Sequence, residues 1–218
     1  MLVLLLISIL GTFILSLPIV QTGFARYAAD AINRDFKTNI NIDKLRISLI
    51  SWDTNLKGVF IEDYRQDTLF YINDLTTSIL NVRNLLNGQL EFGDIDIDQL
   101  DFKLQTYKGA SETNLEVFID KLDDGRPRDP GRPPFFLSSS DIEISNSTFT
   151  LLDENRENEE MLHFTDLDIS ANAFQILGPQ VTADIRAMSF LSDRGIQVEK
   201  LATEFKYTRQ QMRFDSLL

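Results

Sequence analysis

Five times in this 218-residue chain one apolar spacing recurs: apolar residues at i and i+2, two polar positions, then apolar residues from i+5. The copies are Ile40, Ile42, Leu45, Ile47, Leu49; Phe70, Ile72, Leu75, Ile79; Ile95, Ile97, Leu100, Phe102, Leu104; Leu162, Phe164, Leu167, Ile169; and Ile196, Val198, Leu201, Phe205, Tyr207. Asp43-Lys44, Asn73-Asp74, Asp98-Gln99, Thr165-Asp166 and Glu199-Lys200 fill the gaps. Side chains of a strand alternate between its faces, so a three-residue step sends an apolar residue to the wrong face. Each gap must therefore hold a bulge, a twist or a tight turn. The intervals between copies are unequal, which excludes a regular propeller or leucine-rich array. The expectation is one continuous, meandering sheet with a single apolar face. About 14 strands at ~4.8 Å spacing would reach about 67 Å.

Glycines at 58, 88, 93 and 195 fall where turns or bulges are expected. Between Asp123 and Pro134 (DDGRPRDPGRPP), proline, glycine and charge displace apolar residues, which marks an exposed loop or a boundary between sheet segments. Asp153 to Glu160 (DENRENEE) reads as a hairpin loop between strands at Phe149-Leu151 and Leu162-Phe164.

Ahead of the strands stands an uncharged apolar run, Leu2 to Val20, with no formal charge before Arg26. Its length matches the ~20 residues a helix needs to cross a ~30 Å hydrocarbon core. A cleaved signal peptide normally has an apolar region of only about 7–15 residues and a basic start. The run is longer and lacks that start, so a retained anchor is expected, with a signal peptide or a buried helix as alternatives. Arg26, Arg34 and Lys37 all follow the run, which by charge bias alone would keep the body cytoplasmic; Asp30 and Asp35 dilute that bias. From Val20 to Asn33, Val20, Phe24, Tyr27, Ala28, Ala31 and Ile32 recur at helical steps. This predicts an amphipathic helix whose apolar face meets a core, a lipid surface or one end of the β-structure. Pro18 is expected to kink its junction with the anchor.

Composition and chemistry exclude more than they assign. The body is not disordered in character, being 43% hydrophobic with sixteen Phe. A net charge of −12 argues against nucleic acid and against docking on anionic lipid headgroups by charge. With no cysteine there is no disulfide, thiol nucleophile or Cys-ligated metal. Asp94, Asp96 and Asp98 resemble the start of a calcium loop, yet Gln99 stands where glycine is needed and Gln105 where a bidentate glutamate is needed. Alternating with Ile95 and Ile97, they read instead as the solvated face of a strand. His163, the lone histidine, falls on the polar face of its strand, and Trp52, the lone tryptophan, reads as a packing or rim residue. No phosphate-cradling loop is present.

The helix ending ARYAADAINRDF, the strand start KTNINIDKL, the stretch LNGQLEFGDIDIDQLDFKLQTYKGASETNLEVFIDKL and the closing YTRQQMRFDSLL resemble the N-terminal part of TamB-like members of the AsmA-like superfamily. LEFGDIDIDQLDF carries most of the likeness. The resemblance implies an inner-membrane protein of Gram-negative bacteria, with a single-pass anchor and its body in the periplasm. The implied fold is mainly β: a transmembrane helix and a short amphipathic helix, then an elongated, groove-like, twisted antiparallel sheet. The expected layout is an anchor at 1–20, helix at 21–36, groove segments at 37–122 and 135–218, and the Pro/Gly loop at 123–134. Lipid-groove candidates are Ile40, Ile42, Leu45, Ile47, Leu49, Ile95, Ile97, Leu100, Phe102, Leu104, Leu162, Phe164, Leu167 and Ile169. The implied role is phospholipid movement toward the outer membrane without covalent chemistry, catalytic residues, metal or cofactor. Implied partners are membrane lipids and an outer-membrane TamA/Omp85-like protein reached through a C-terminal region beyond Leu218, in a chain expected to be longer. Alternatives are an outer-membrane protein assembly factor that holds client strands by augmentation, and a structural β-domain.

Overall fold

The structure is a computed structural model and describes residues 12–81, 84, 89–122, 136–156, 160–177, 180–208 and 211–218. Helix α1 (Pro18–Phe36) leads into nine strands: β1 (Asn39–Ile47), β2 (Asp53–Glu62), β3 (Thr68–Ile79), β4 (Gln89–Thr106), β5 (Phe136–Asp153), β6 (Glu160–Leu177), β7 (Gln180–Ser192), β8 (Gln197–Tyr207) and β9 (Met212–Asp215). A second helix, α2 (Asn114–Leu122), follows β4. The strands form one mixed sheet whose spatial order, β1 to β9, is the order of the sequence. Every neighbouring pair is antiparallel except β4 and β5, which run parallel. The expected all-antiparallel sheet is therefore corrected at one seam. A parallel pair cannot be joined by a hairpin, and here α2 and the Pro/Gly-rich stretch lie between the two strands. That stretch, 123–134, lies outside the described residues, as does Gly88. The sheet is continuous across it, with Gln89 opposite Phe136 and Thr106 opposite Asp153.

The repeated gap is a crease inside long strands. In β1 and β2 the register passes from Ile42 opposite Val59 to Lys44 opposite Lys57, leaving Asp43 beside Gly58. Gly58 has φ +60°, and the Asp43 carboxyl fills the space a Cβ there would need. Gln99, Asn146 and Asp166 continue the crease through β4, β5 and β6 with φ of 59°, 51° and 48°. A left-handed residue takes up the odd position, so both apolar halves of a strand share one face. In β1, Asn39, Asn41, Asp43, Lys44 and Arg46 are exposed, while Ile40, Ile42, Leu45 and Ile47 are half-buried. The spacing reads the same in both chain directions, which lets antiparallel neighbours align their creases. Because the gap is a crease and not a turn, the described residues form fewer and longer strands than expected: nine, with β4, β5 and β6 each of 18 residues. Nine strands at ~4.8 Å span only about 38 Å across the sheet.

The N-terminal expectations change most. A helical turn at 12–15 ends at Leu17, whose backbone is extended, and a separate helix begins with Pro18. Proline suits a helix start, where its missing N–H has no intrahelical partner, so Pro18 opens α1 instead of kinking a continuous helix. Residues 1–11 of the expected anchor lie outside the described residues, and no helix among the described ones is long and apolar enough to cross a membrane. The helix also turns a different face to the sheet. Gln21, Ala25 and Ala29 are buried, whereas Phe24 and Tyr27 of the expected core face are 60% and 69% exposed. The side chains of Ala28, Ala31 and Ile32 lie outside the described residues.

α1 docks on the open edge of β1 with side chains that act as a missing strand. Gln21 Nε2 donates to Ile47 O at 2.7 Å, and Ile47 N donates back to Gln21 Oε1 at 2.8 Å. Asn33 does the same for Ile40, at 2.8 and 2.7 Å, and Thr22 for Leu45, at 3.2 and 3.1 Å. Arg26 donates to the carbonyls of Ile42 and Asp43. Ala25 and Ala29 have no bulk to hold the helix away. An edge that would otherwise template another strand is thereby closed.

Helix α2 was not foreseen, since a single helix after the anchor was expected. Its signal is the T-x-x-E of Thr113 and Glu116: Thr113 N donates to Glu116 Oε2 at 2.8 Å, and Glu116 N donates to Thr113 Oγ1 at 3.2 Å. α2 runs across one end of the sheet, from Asn114 beside Asp63 to Lys121, whose ammonium donates to Lys37 O.

Candidate functional site

Reading the register across the strands turns scattered apolar residues into rows. One row is Ile40, Ile61, Phe70, Phe102, Phe149, Phe164. Next to it lie Ile42, Val59, Ile72 and Leu100. Beyond the crease come Leu45, Leu56, Leu75, Ile97, Ile144, Ile169, Met188 and Leu201, and then Ile47, Thr54, Thr77, Ile95, Ile142, Ala171, Ile185 and Thr203. Leu104, Leu151 and Leu162 form a shorter row. None of these residues carries a charge.

Thirteen of the fourteen groove candidates thus sit in strands, eleven of them with apolar cross-strand neighbours, while Ile47 lies opposite Thr54 and Leu167 opposite buried Ser147. Leu49 does not: β1 stops at Ile47, and Leu49 belongs to the turn leading to Trp52, which has φ 60°. The five copies leave out β2, β5 and β7, which supply Val59, Ile61, Ile144, Phe149, Ile185 and Met188. In β5 the spacing is Ile142, Ile144, Ser147, Phe149, Leu151, matching β4 with serine in place of Leu100. In β2 it begins with Thr54. Admitting Ser and Thr at apolar positions recovers both strands. Ser147 Oγ accepts from Leu100 N at 3.0 Å, closing the ladder at the crease.

Two features give the face relief. Five phenylalanines make a continuous track: the centroids of Phe70 and Phe102 are 4.5 Å apart, Phe102 and Phe149 5.3 Å, Phe149 and Phe164 5.9 Å, and Phe164 and Phe190 4.0 Å. Parallel to it, Thr54, Thr77, Ile95, Ile142, Ala171, Ile185 and Thr203 are only 3–9% exposed. Every residue of the adjoining row from Leu45 to Leu201 is half-buried and so more exposed than these, which makes the row a trough. Thr77 Oγ1 is buried there without a hydrogen-bond partner. Among the described residues, the principal packing beyond neighbouring strands is α1 on β1 and α2 on β4.

The opposite face is polar. Lys57 pairs with Asp74 at 2.6 Å, and this bond holds the Asp74 carboxyl below its ordinary range. Arg186 bridges Asp141 and Glu143 at 2.8 and 3.0 Å. Asp94 and Asp98 accept from Ser140 and Asn146, and Asp96 is exposed, as expected of a solvated face. No group of three or more His, Asp or Glu placed to hold a metal occurs among the described residues. His163 lies opposite Thr150, its Nδ1 3.0 Å from Thr150 Oγ1, with Nε2 4.0 Å from Asp193. The Thr150 hydroxyl is buried in the sheet and Asp193 stands beyond hydrogen-bond reach of the ring, so the three do not form a nucleophile, base and orienting acid.

At the α2 end, buried Asp63 is held by a dense network. Tyr107 Oη donates to Asp63 Oδ2 at 2.5 Å, Asn114 Nδ2 donates to the same oxygen at 3.2 Å, and Asp63 Oδ1 accepts from the backbone of Arg65 and Asp67. Burial and the two neighbouring carboxylates push the Tyr107 phenol above its ordinary value. The partners are all satisfied locally, which identifies a structural clamp between α2 and the β2–β3 turn.

No protein-family model matches the chain, and a search of curated proteins finds no match.

Proposed function

We propose that this protein moves phospholipid along its apolar sheet face, held at the inner membrane by its N-terminal apolar run with the body in the periplasm. The likeness of its sequence to TamB-like proteins supports this reading. The observation that carries it is the chargeless set of rows crossing eight strands, from β1 to β8. Moving a two-chain phospholipid through water exposes on the order of 30 methylenes, about 24 kcal/mol at ~0.8 kcal/mol each. An unbroken apolar face lowers that barrier, because acyl chains can exchange water for side chains at every point. An ionised group midway would restore it. The ladder keeps backbone groups paired while the face stays available. In this reading the groove is the elongated, curved form of that face, and lipid passes across the strands along the phenylalanine track and the trough.

Strand augmentation by a client protein is the weaker reading, since α1 already occupies the β1 edge with reciprocal hydrogen bonds.

A photo-reactive residue at Ile97 tests the proposal in cells. Recovered cross-links should carry phospholipid, whereas the same probe at Asp96, on the opposite face, should not. Phe102→Asp should abolish the Ile97 cross-link in the full chain while leaving the circular-dichroism spectrum unchanged. Cross-links equal at both positions, or unaffected by Phe102→Asp in a folded protein, overturn lipid transfer along this face.

A further inference from the structure

We propose that α1 is a membrane-surface helix that lays its outer face on an anionic bilayer, so that the β1 edge of the sheet stands against the lipid. This rests on the reading of the N-terminal run as a membrane anchor. With 3.6 residues per turn, Gln21, Ala25, Ala29 and Asn33 fall within a roughly 120° arc and Ile19, Phe24 and Tyr27 within a separate arc of roughly 140°. The first arc is spent on β1. The second is left without protein cover: Ile19 is 80% exposed, Phe24 60% and Tyr27 69%.

Two observations name the occupant. In sequence the exposed arc follows closely on Phe13, Ile14 and Leu15, which are 62%, 45% and 48% exposed and belong to the uncharged run that begins at Leu2. A chain that leaves such a run and enters α1 within two residues of Ser16 starts the helix at the same depth. Charge agrees. Residues 1–47 carry five Lys or Arg against three Asp (net +2), while the remaining residues carry sixteen against thirty (net −14). The part next to the apolar run is thus net positive in an acidic protein, and the exposed side of the helix carries Arg34 together with Asp30. Anionic headgroups attract this end and repel the rest of the body, which sets the sheet upright. An interfacial helix of this kind buries its apolar face about 5–10 Å into the headgroup and acyl boundary.

The full chain, in vesicles of phosphatidylethanolamine and phosphatidylglycerol with brominated acyl chains, tests the placement. Trp52→Phe removes the lone tryptophan, and Tyr27→Trp then reports from α1; Ile19→Trp is the second reporter should the first variant fail to fold. Emission from α1 should fall about twofold relative to unbrominated vesicles and resist aqueous iodide, whereas Tyr71→Trp in the same background, on the polar face, should behave oppositely. Iodide quenching without bromine quenching overturns the proposal in favour of a solvated helix. Protection from both overturns it in favour of a second copy on this face. Photo-cross-linking from Ile97 in the same vesicles separates the two readings: lipid at Ile97 with a dry-unquenched α1 leaves lipid transfer standing and removes only the surface helix.

Discussion

The side-chain amide of Gln21 completes both backbone groups of Ile47, accepting from its N–H at 2.8 Å and donating to its carbonyl at 2.7 Å. A glutamine here does the work of a tenth strand. Gln21→Leu, similar in size, leaves both groups unpaired beside a helix, at a cost of about 1–3 kcal/mol. Urea unfolding should register that loss, and light scattering should show faster self-association through the opened edge. An unchanged urea midpoint would mean that α1 is held by other contacts.

At the crease, Gly58→Ala combines left-handed strain with a clash against Asp43. The strain alone costs about 1–2 kcal/mol. Asp43→Gly should recover the steric part and not the backbone part, so the double variant should unfold between Gly58→Ala and the parent. Full recovery would show that φ at this position is free to relax.

Thr77→Val keeps the shape of the trough and removes its unpartnered hydroxyl. Thermal unfolding should show stabilisation of about 1 kcal/mol, because an unsatisfied buried polar group costs that order. Lipid cross-linking from Ile97 should stay intact.

Tyr107→Phe should destabilise by about 1.5–3 kcal/mol at neutral pH through loss of a hydrogen bond to the buried Asp63 carboxylate. The tyrosine is worth most below its unfolded pKa of about 10. Above that pH the unfolded chain releases the phenolic proton while the folded protein retains it, so folding stability falls as pH rises. Denaturation curves of parent and variant should therefore converge on the alkaline side. A gap that stays constant to high pH would contradict the raised phenol.

Acid should act at the other end of the scale. Asp74, held down by Lys57, contributes stability above its unfolded pKa of about 4 that is lost as pH falls through its lower folded value. Both side chains are partly exposed, so Lys57→Met should flatten this dependence only slightly, by less than about 1 kcal/mol.

What the sequence by itself determined was the local grammar. The step from Ile42 to Leu45 required an interruption of the strand, and the structure places Gly58 opposite that interruption and Gln99 at the matching one in β4, both with positive φ. The polarity of Asp94 and Asp96, the hairpin between Phe149 and Phe164, and a mainly β body with one apolar face were legible for the same reason: alternation and turn chemistry act over a few residues. Tertiary structure decided what depends on neighbours distant in sequence. Whether Asp43-Lys44 is a turn or a crease depends on what β2 offers opposite, and only pairing with Gly58 makes it a crease. The parallel seam depends on where the chain returns after α2. The choice of face on α1 went against hydrophobicity, because the unpaired peptide groups of β1 need donors and acceptors at close range, and Gln21, Thr22 and Asn33 supply them where Phe24 and Tyr27 cannot.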